Sequence, residues 1–169
     1  MSAVHPTLDV RGKRILIMKL RYIGDTLSLL PVIDNLKAKA PDAIVDAMVN
    51  KGTEDVLEHH PGIRKVWNYD RKFAKQNILN SINYHIKLIN KLRSIGYDFV
   101  IDFTHGDRAA FLAFATGAAQ RISYENSSSL SHLLMNHFVH CDPFRYHIVD
   151  YQLQALRLFG MDHFNREMT

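Results

Sequence analysis

The sequence has 169 residues, of which 47% are hydrophobic and 22% charged, and its formal net charge is +4 at neutral pH. This composition excludes a disordered chain and predicts one compact domain with its own hydrophobic core. The small excess of positive charge fits an acidic partner. A net charge of this size does not distinguish between a nucleotide, a phosphorylated glycan, an anionic membrane surface and nucleic acid as that partner.

Cysteine content and the length of the apolar runs narrow the class of protein further. Cys141 is the only cysteine, so no intrachain disulfide can form, and we expect a cytoplasmic protein. Residues 1–13 contain no apolar stretch of signal-peptide length. The longest apolar segment, 109–119, is well short of the about 20 residues that cross a bilayer. Any membrane contact is therefore expected to be peripheral.

Along the chain, short apolar runs alternate with segments of helical periodicity. Residues 14–19 form an apolar run without alternation, which is typical of a strand buried on both faces of a parallel sheet. A helix is predicted over 25–40, with a kink or a loosened turn at Pro31. Further strands are predicted at 43–49, 64–67, 98–103, 120–124 and 137–141, and further helices at 53–59, 78–92, 108–116, 129–135 and 149–159.

The longest predicted helix carries a stripe of apolar residues. A partner-binding or membrane-surface helix has this pattern, and so does an amphipathic helix that packs on a sheet. We expect core packing, because the helix lies between predicted strands. The stripe consists of Ile78, Ile82, Ile86, Ile89 and Leu92.

The alternation of strands and helices predicts right-handed crossovers and an open, mostly parallel sheet with helices on both faces. The expected fold class is therefore α/β, a Rossmann-like doubly wound domain over 14–160. Ligands of such sheets bind outside the carboxyl ends of the strands. The loops to consider begin at Lys19, Val49, Phe103 and Tyr124.

The first of these loops combines several reactive groups. It reads Lys-Leu-Arg-Tyr-Ile-Gly-Asp-Thr over 19–26, and so places two cations, a glycine, a carboxylate and a hydroxyl at one strand-to-helix turn. Gly24 permits close approach of a ligand or a positive φ. Asp25, at the start of the helix, is favoured in its ionised form and could accept a proton, but Asp is also a preferred helix N-cap. Both roles stay open, whereas the single glycine excludes a dinucleotide fingerprint or a P-loop.

A second candidate loop, 104–108, follows the strand that ends at Phe103 and faces the same rim. His105 could donate to a sugar or a phosphate, and Arg108 could bind an anion; either could also be an ordinary surface residue. The histidines and the cysteine of the last third of the chain are residue types that bind zinc. Their spacing matches no closed zinc motif, so no metal site is expected. These residues are His132, His137, His140, Cys141 and His147.

The segment 14–31 resembles the opening segment of the bacterial lipopolysaccharide heptosyltransferases, glycosyltransferase family 9. The sequence Ile23-Gly24-Asp25, followed six residues later by Pro31, is the hallmark of that family. Residues 21–26 look most like the branch that adds the third inner-core heptose. A looser similarity covers most of 14–160.

The resemblance implies a GT-B fold, in which two Rossmann-like domains face a cleft. It also implies transfer of heptose from ADP-heptose to the lipopolysaccharide core, with inversion and without a metal or another cofactor. Asp25 matches the carboxylate that accepts the proton of the attacking sugar hydroxyl, and Gly24 would keep the approach of the acceptor open. The expected substrate contacts are Lys19, Arg21, Tyr22, Gly24, Thr26, His105 and Arg108.

The expected domain organisation is a lead-in over 1–13, an acceptor-side domain over 14–160 and the start of an interdomain region over 161–169, with the donor domain absent. Three interpretations compete: the acceptor-side half of an active transferase on the cytoplasmic face of the inner membrane, a noncatalytic acceptor-binding or assembly domain, and a truncated relic. A nucleic-acid module is disfavoured, because the basic residues are dispersed and no recognition motif is present.

Overall fold

In the computed structural model, which describes residues 7–74, 77–142 and 144–167, six strands form one sheet. The strands run parallel in the order β3-β2-β1-β4-β5-β6. This order is that of a doubly wound sheet, and it confirms the predicted Rossmann-like α/β class. The strands are β1 Arg14–Lys19, β2 Ile44–Asn50, β3 Lys65–Tyr69, β4 Phe99–Asp102, β5 Gln120–Tyr124 and β6 His137–Val139.

Helices flank the sheet on both faces, and the predicted helices occur with shifted bounds, except that the one predicted over 25–40 is divided into two. The one short helix that the sequence pattern did not predict directly follows β3. The helices are α1 Ile23–Leu27, α2 Leu30–Lys39, α3 Asp55–Glu58, α4 Arg71–Ala74, α5 Ile78–Ile95, α6 Asp107–Ala115, α7 Ser129–Leu134 and α8 Ile148–Leu153, and a 3₁₀ turn, Gln154–Phe159, continues α8.

Strand β1 lies at the centre of the sheet and contributes to a hydrophobic core on each face. Ile15 and Ile17 pack into one core cluster together with residues of α2. Leu16 and Met18, which point the opposite way, belong to a second cluster that includes residues of α5 and α6. Burial on both faces explains why this strand reads as an uninterrupted apolar run.

The predicted helix over 25–40 is instead two helices separated by two residues, so that prediction was wrong in part. Helix α1 ends at Leu27 and α2 begins at Leu30. Pro31 lies in the first turn of α2, where its missing N–H has no intrahelical partner to lose. In a continuous helix the proline ring would clash with the preceding turn, so the first helix ends before the proline and a second one begins. Because α1 begins at Ile23, Asp25 is the third residue of its first turn and not its N-cap.

The apolar stripe predicted for the core is only partly buried. Leu92 is fully buried, whereas Ile78, Ile82 and Ile86 are exposed. Tyr84 already lies level with the carboxyl end of β3, because its hydroxyl accepts the backbone N–H of Asp70 at 2.7 Å. Helix α5 spans about 27 Å, and its first turns lie toward the carboxyl edge of the sheet, where α4 covers them only in part.

Both ends of the described chain are attached to the domain. The backbone N–H of Leu8 donates to the carbonyl of Leu158 at 2.8 Å, and Asn35 on α2 bonds to both backbone groups of Asn165. Residues 1–6 of the expected lead-in and 168–169 of the expected interdomain region lie outside the described residues. Within 7–74, 77–142 and 144–167, no helix has the length and hydropathy of a membrane span.

Candidate functional site

Asp25 is held by the first turn of α1, at the carboxyl end of β1. Its Oδ2 accepts the backbone N–H of Tyr22 at 3.3 Å, so the carboxylate satisfies one of the free donors at the helix start. Ser28 supports the same turn by donating its hydroxyl to the Asp25 carbonyl at 2.7 Å. Asp25 therefore caps the helix from its third position and not as the predicted N-cap, and this bond occupies only one of the two carboxylate oxygens.

The other oxygen of Asp25 faces a buried cation. Lys19 is the last residue of β1 and is 3% exposed, and its Nζ lies 3.7 Å from Asp25 Oδ1. The same ammonium donates to the carbonyl of Phe103 at 2.9 Å. When the Gln152 amide is oriented to satisfy its neighbours, its oxygen accepts from Lys19 Nζ at 3.1 Å. Burial lowers the pKa of Lys19, while the nearby Asp25 charge opposes this change.

The two predicted loops are bonded to each other next to this pair. Arg21 donates Nε and Nη2 to the carbonyl of Thr104 at 3.3 and 3.0 Å. The backbone N–H of Leu20 donates to Thr104 Oγ1 at 2.9 Å, and Asn50 at the end of β2 donates to the Arg21 carbonyl at 2.7 Å. Hydrogen bonds thus join the ends of β1, β2 and β4, and they hold the Arg21 guanidinium in one orientation.

His105 lies at the turn after β4 in a left-handed conformation, with φ of 64°. Its ring packs against Tyr124 and Tyr151, with centroids 4.8 and 5.6 Å apart, and its Nδ1 lies 3.3 Å from Ser127 Oγ. Burial lowers the pKa of His105 to about 4, and the Lys19 and Arg21 charges act in the same direction. The imidazole is therefore neutral at pH 7 and can both donate and accept a hydrogen bond.

Asp102, the last residue of β4, was missed by sequence reasoning. It is fully buried, and its Oδ1 accepts the backbone N–H of Thr104 at 2.7 Å. Its Oδ2 has no hydrogen-bond partner among the described residues. Burial raises the pKa of Asp102 to about 6. A carboxylate that ends an otherwise apolar buried run was the available signal, and such a residue faces the ligand edge of a parallel sheet.

These groups surround an open cavity of about 500 Å³, which is within the range of small-molecule sites. Four of the predicted site residues line it together, and the second half of the chain supplies the remaining wall. Tyr151 in that wall is fixed by donating its hydroxyl to Asn126 Oδ1 at 2.8 Å. The lining residues are Lys19, Arg21, Asp25, His105, Asn126, Tyr146, Ile148 and Tyr151.

The other predicted site residues lie outside the cavity wall. Tyr22 is exposed beside the turn, and Thr26 is buried beneath it, donating to the Tyr22 carbonyl at 3.3 Å. The Arg108 guanidinium lies over the Tyr69 ring, 5.8 Å from its centroid. Gly24 does not have a positive φ, and a Cβ there would meet no heavy atom within 4 Å. Of the two reasons considered for that glycine, only open space for a ligand remains.

The histidine-rich part of the chain is engaged in ordinary packing. His132 bonds through Nε2 to the Glu125 carbonyl at 2.9 Å, and its ring stacks on Phe138. Across the described ranges, the His, Cys, Asp and Glu side chains form no group of three that could hold a metal ion.

Comparisons with known proteins agree with the motif at β1. The model of the family described as glycosyltransferase family 9 (heptosyltransferase) matches residues 85–168. A curated relative, lipopolysaccharide heptosyltransferase 3 of Escherichia coli strain K12, is 30% identical over 151 residues, which are 89% of this chain and 43% of the relative. The chain therefore spans about half the length of the curated relatives it matches.

Solved structures show the same fold. The crystal structure of a family 9 glycosyl transferase from Veillonella parvula superposes with a TM-score of 0.80 at 23% identity, covering 92% of this chain and 44% of the other. The E. coli heptosyltransferase WaaC with ADP-2-deoxy-2-fluoro heptose gives a TM-score of 0.78 at 20% identity, covering 92% and 50%. The predicted resemblance to glycosyltransferase family 9, the heptosyltransferase family, is confirmed.

Proposed function

We propose that this chain is the acceptor-side part of a GT-B glycosyltransferase that moves heptose from ADP-heptose to the inner core of lipopolysaccharide. The observation that carries the proposal is the position of Asp25. Its carboxylate is fixed by a backbone N–H through one oxygen, and its side chain lines an open, polar cavity at the carboxyl edge of the sheet. A fixed carboxylate in such a cavity is suited to accept a proton from a bound hydroxyl.

In the proposed reaction, the acceptor hydroxyl binds to Asp25 and attacks the anomeric carbon of the heptose. The hydroxyl proton passes to the carboxylate as the new carbon–oxygen bond forms. The bond from the anomeric carbon to the diphosphate breaks, and ADP leaves with that electron pair. Attack opposite the leaving group inverts the anomeric centre. We propose that no metal takes part, in keeping with the resemblance of residues 14–31 to the family.

The neighbouring groups have distinct proposed roles. Arg21 presents its guanidinium to phosphate or carboxylate groups of the acceptor, and its bonds to the Thr104 carbonyl keep it pre-positioned. Lys19 supplies a buried positive charge that draws an anionic acceptor toward Asp25. The neutral imidazole of His105 is suited to bind a sugar hydroxyl and poorly suited to pair with an anion.

We place recognition of the ADP group in the part of the relatives that this chain does not match, since the chain spans about half their length. Whether that part is supplied by the same polypeptide or by another, the acceptor cavity is formed by residues of this chain. The cytoplasm, where a sugar nucleotide is available, is the proposed location.

A noncatalytic acceptor-binding domain is the second candidate function, because this chain lines the cavity by itself while the relatives are about twice as long. Transfer of heptose by the complete product of the gene separates the two functions. The enzyme proposal predicts transfer that Asp25→Asn abolishes, whereas the binding proposal predicts acceptor binding with no transfer by either protein.

A further inference from the structure

A buried glutamine from the second half of the chain lies against the Lys19–Asp25 pair. Gln152, on α8, is fully buried. The buried residues that follow it in the chain are apolar, namely Leu153, Ala155 and Leu156. A buried amide is destabilising unless hydrogen bonds replace those it loses to water. The presence of glutamine among these residues therefore indicates a specific hydrogen-bonding role for its side chain.

The amide of Gln152 connects the ammonium of Lys19 to the turn that carries Asp25. In the orientation that satisfies its neighbours, its nitrogen donates to the Ser28 carbonyl at 2.7 Å and its oxygen accepts from Lys19 Nζ at 3.1 Å. The opposite orientation would turn its N–H groups toward the ammonium and its oxygen toward the carbonyl. Ser28 belongs to the Asp25 turn, because its hydroxyl donates to the Asp25 carbonyl.

The position of Gln152 is fixed by the sheet. The hydroxyl of Tyr124, at the end of β5, donates to the backbone carbonyls of Tyr151 and Gln152 at 3.1 and 3.0 Å. Tyr124 is fully buried, and Tyr151 lines the cavity that Asp25 faces. The amide oxygen that accepts from Lys19 is therefore attached to a part of the core separate from β1 and α1.

Two neutral oxygens hold the Lys19 ammonium at a distance from the carboxylate. Lys19 Nζ donates to the carbonyl of Phe103 at 2.9 Å and to the amide oxygen of Gln152 at 3.1 Å. Its distance to Asp25 Oδ1, 3.7 Å, is too long for a hydrogen bond but short enough for a strong electrostatic interaction. Asp25 Oδ1 thus lies beside a positive charge while its lone pairs are left for an incoming hydroxyl.

We propose that Gln152 is a positioning residue for heptose transfer, which holds the Lys19 ammonium close enough to support the charge of Asp25 without occupying the oxygen that receives the proton. The inference rests on the proposed role of Asp25 as the base. The charged groups that act on the Lys19 ammonium are Asp25 on α1, Arg21 after β1 and Asp102 on β4. Gln152 is the neutral contact that α8 supplies.

The first test is the pKa of Lys19 in the 169-residue chain, measured by carbon NMR of its side chain and assigned by the loss of the signal in Lys19→Met. Gln152→Leu removes an acceptor from the charged form and should lower the pKa of Lys19 below its value in the unaltered chain. Gln152→Glu adds an opposite charge and should raise it. Either variant alone decides the test, because the two expected changes differ in sign.

A matched control is Gln154→Leu, two residues further along, where the side chain donates to the Asp150 carbonyl at 3.2 Å. This variant should leave the pKa of Lys19 unchanged. The proposal is overturned if the Gln152 variants titrate as the control does.

The second test is heptose transfer by the complete product of the gene. Gln152→Leu should lower kcat/KM by about tenfold, the equivalent of one hydrogen bond to a charged group. In a Lys19→Met background the same substitution should lower it by less than about twofold, because Gln152 acts through Lys19. An equal loss in both backgrounds would overturn this inference and leave the proposed function standing. Absence of transfer by the unaltered protein would overturn the proposed function and this inference with it.

Discussion

The ammonium of Lys19, buried under the first turn of α1, lies 3.7 Å from Asp25 Oδ1, while Asp25 Oδ2 caps the same turn. One carboxylate therefore has a structural bond through one oxygen and an electrostatic partner on the cavity side through the other. This division allows the two roles of Asp25 to be separated by experiment.

The structural role of Asp25 predicts a difference between two substitutions. Asp25→Ala removes the bond to the Tyr22 N–H and should lower the free energy of unfolding by about 0.5–2 kcal/mol, the usual loss for a helix cap. Asp25→Asn keeps an oxygen acceptor and should lose less. Urea unfolding of both variants measures this difference. Equal losses would show that the Oδ2 bond contributes nothing to stability.

Lys19 is expected to act on the binding of an anionic acceptor. Lys19→Met keeps the apolar stem but removes the charge beside Asp25, so the affinity for a phosphorylated inner-core oligosaccharide should fall by about tenfold. Isothermal titration calorimetry at low salt measures the change. Lys39→Met, with the same loss of charge at the end of α2, should leave the affinity unchanged. Equal effects of the two variants would contradict a local role of Lys19.

His105 should titrate far below an ordinary histidine. Burial lowers its pKa to about 4, so its ring resonance in the NMR spectrum should move with a midpoint near pH 4. The resonance is assigned by its loss in His105→Asn, a residue that tolerates the left-handed backbone at this position. A midpoint near 6.5 would mean that the ring is solvated and not packed between the two tyrosines.

His105 and Asp102 should change stability in opposite directions with pH. The lowered pKa of His105 gives stability that is present above pH 6.5 and is lost as the pH falls toward 4. The raised pKa of Asp102 gives stability that is present below pH 3.8 and is lost as the pH rises through 6. Relative to the unaltered chain, the stability of His105→Asn should therefore fall as the pH rises from 4 to 6, whereas the stability of Asp102→Asn should rise. Urea unfolding at several pH values in this range gives the free energy of unfolding of each variant as a function of pH. Changes of the same sign in both variants, relative to the unaltered chain, would contradict the prediction.

A buried network on β2 predicts a large loss of stability away from the site. Asp46 is fully buried and accepts from Arg64 Nε at 2.9 Å and from the Tyr97 hydroxyl, which also accepts the Trp67 Nε1–H at 2.9 Å. Tyr97→Phe breaks two of these bonds and should lower the free energy of unfolding by about 2–4 kcal/mol. Tyr22→Phe, at an exposed tyrosine, should change it by less than about 0.5 kcal/mol. Similar values for both would contradict the network.

The fold could be predicted from sequence because its strands are buried on both faces. Such strands appear as uninterrupted apolar runs, and the runs around Ile17 and Ile101 fixed the alternation that defines a doubly wound sheet. The division of the helix before Pro31 and the exposure of Ile78 could not be predicted in this way. Periodicity identifies an apolar side of a helix, but it does not show where the sheet beneath that helix ends.

The candidate site was predictable only in its first half. Lys19, Arg21 and Asp25 follow one strand, and His105 follows the neighbouring strand, so the carboxyl-edge rule brought them together. Asn126 lies in the loop after β5, which the same rule indicated, whereas Tyr146 and Tyr151 come from a loop and a helix more than a hundred residues after β1. Their sequence surroundings carry no pattern that distinguishes a cavity wall from a solvated loop.

The most direct test of the account is heptose transfer by the complete product of the gene, with ADP-heptose and an inner-core acceptor, before and after Asp25→Asn. The account predicts that the variant binds acceptor and keeps its fold but loses about 10²–10⁴-fold in kcat, the usual contribution of a general base. A variant that transfers heptose at a rate within a few fold of the unaltered protein would contradict the assignment of Asp25 as the base.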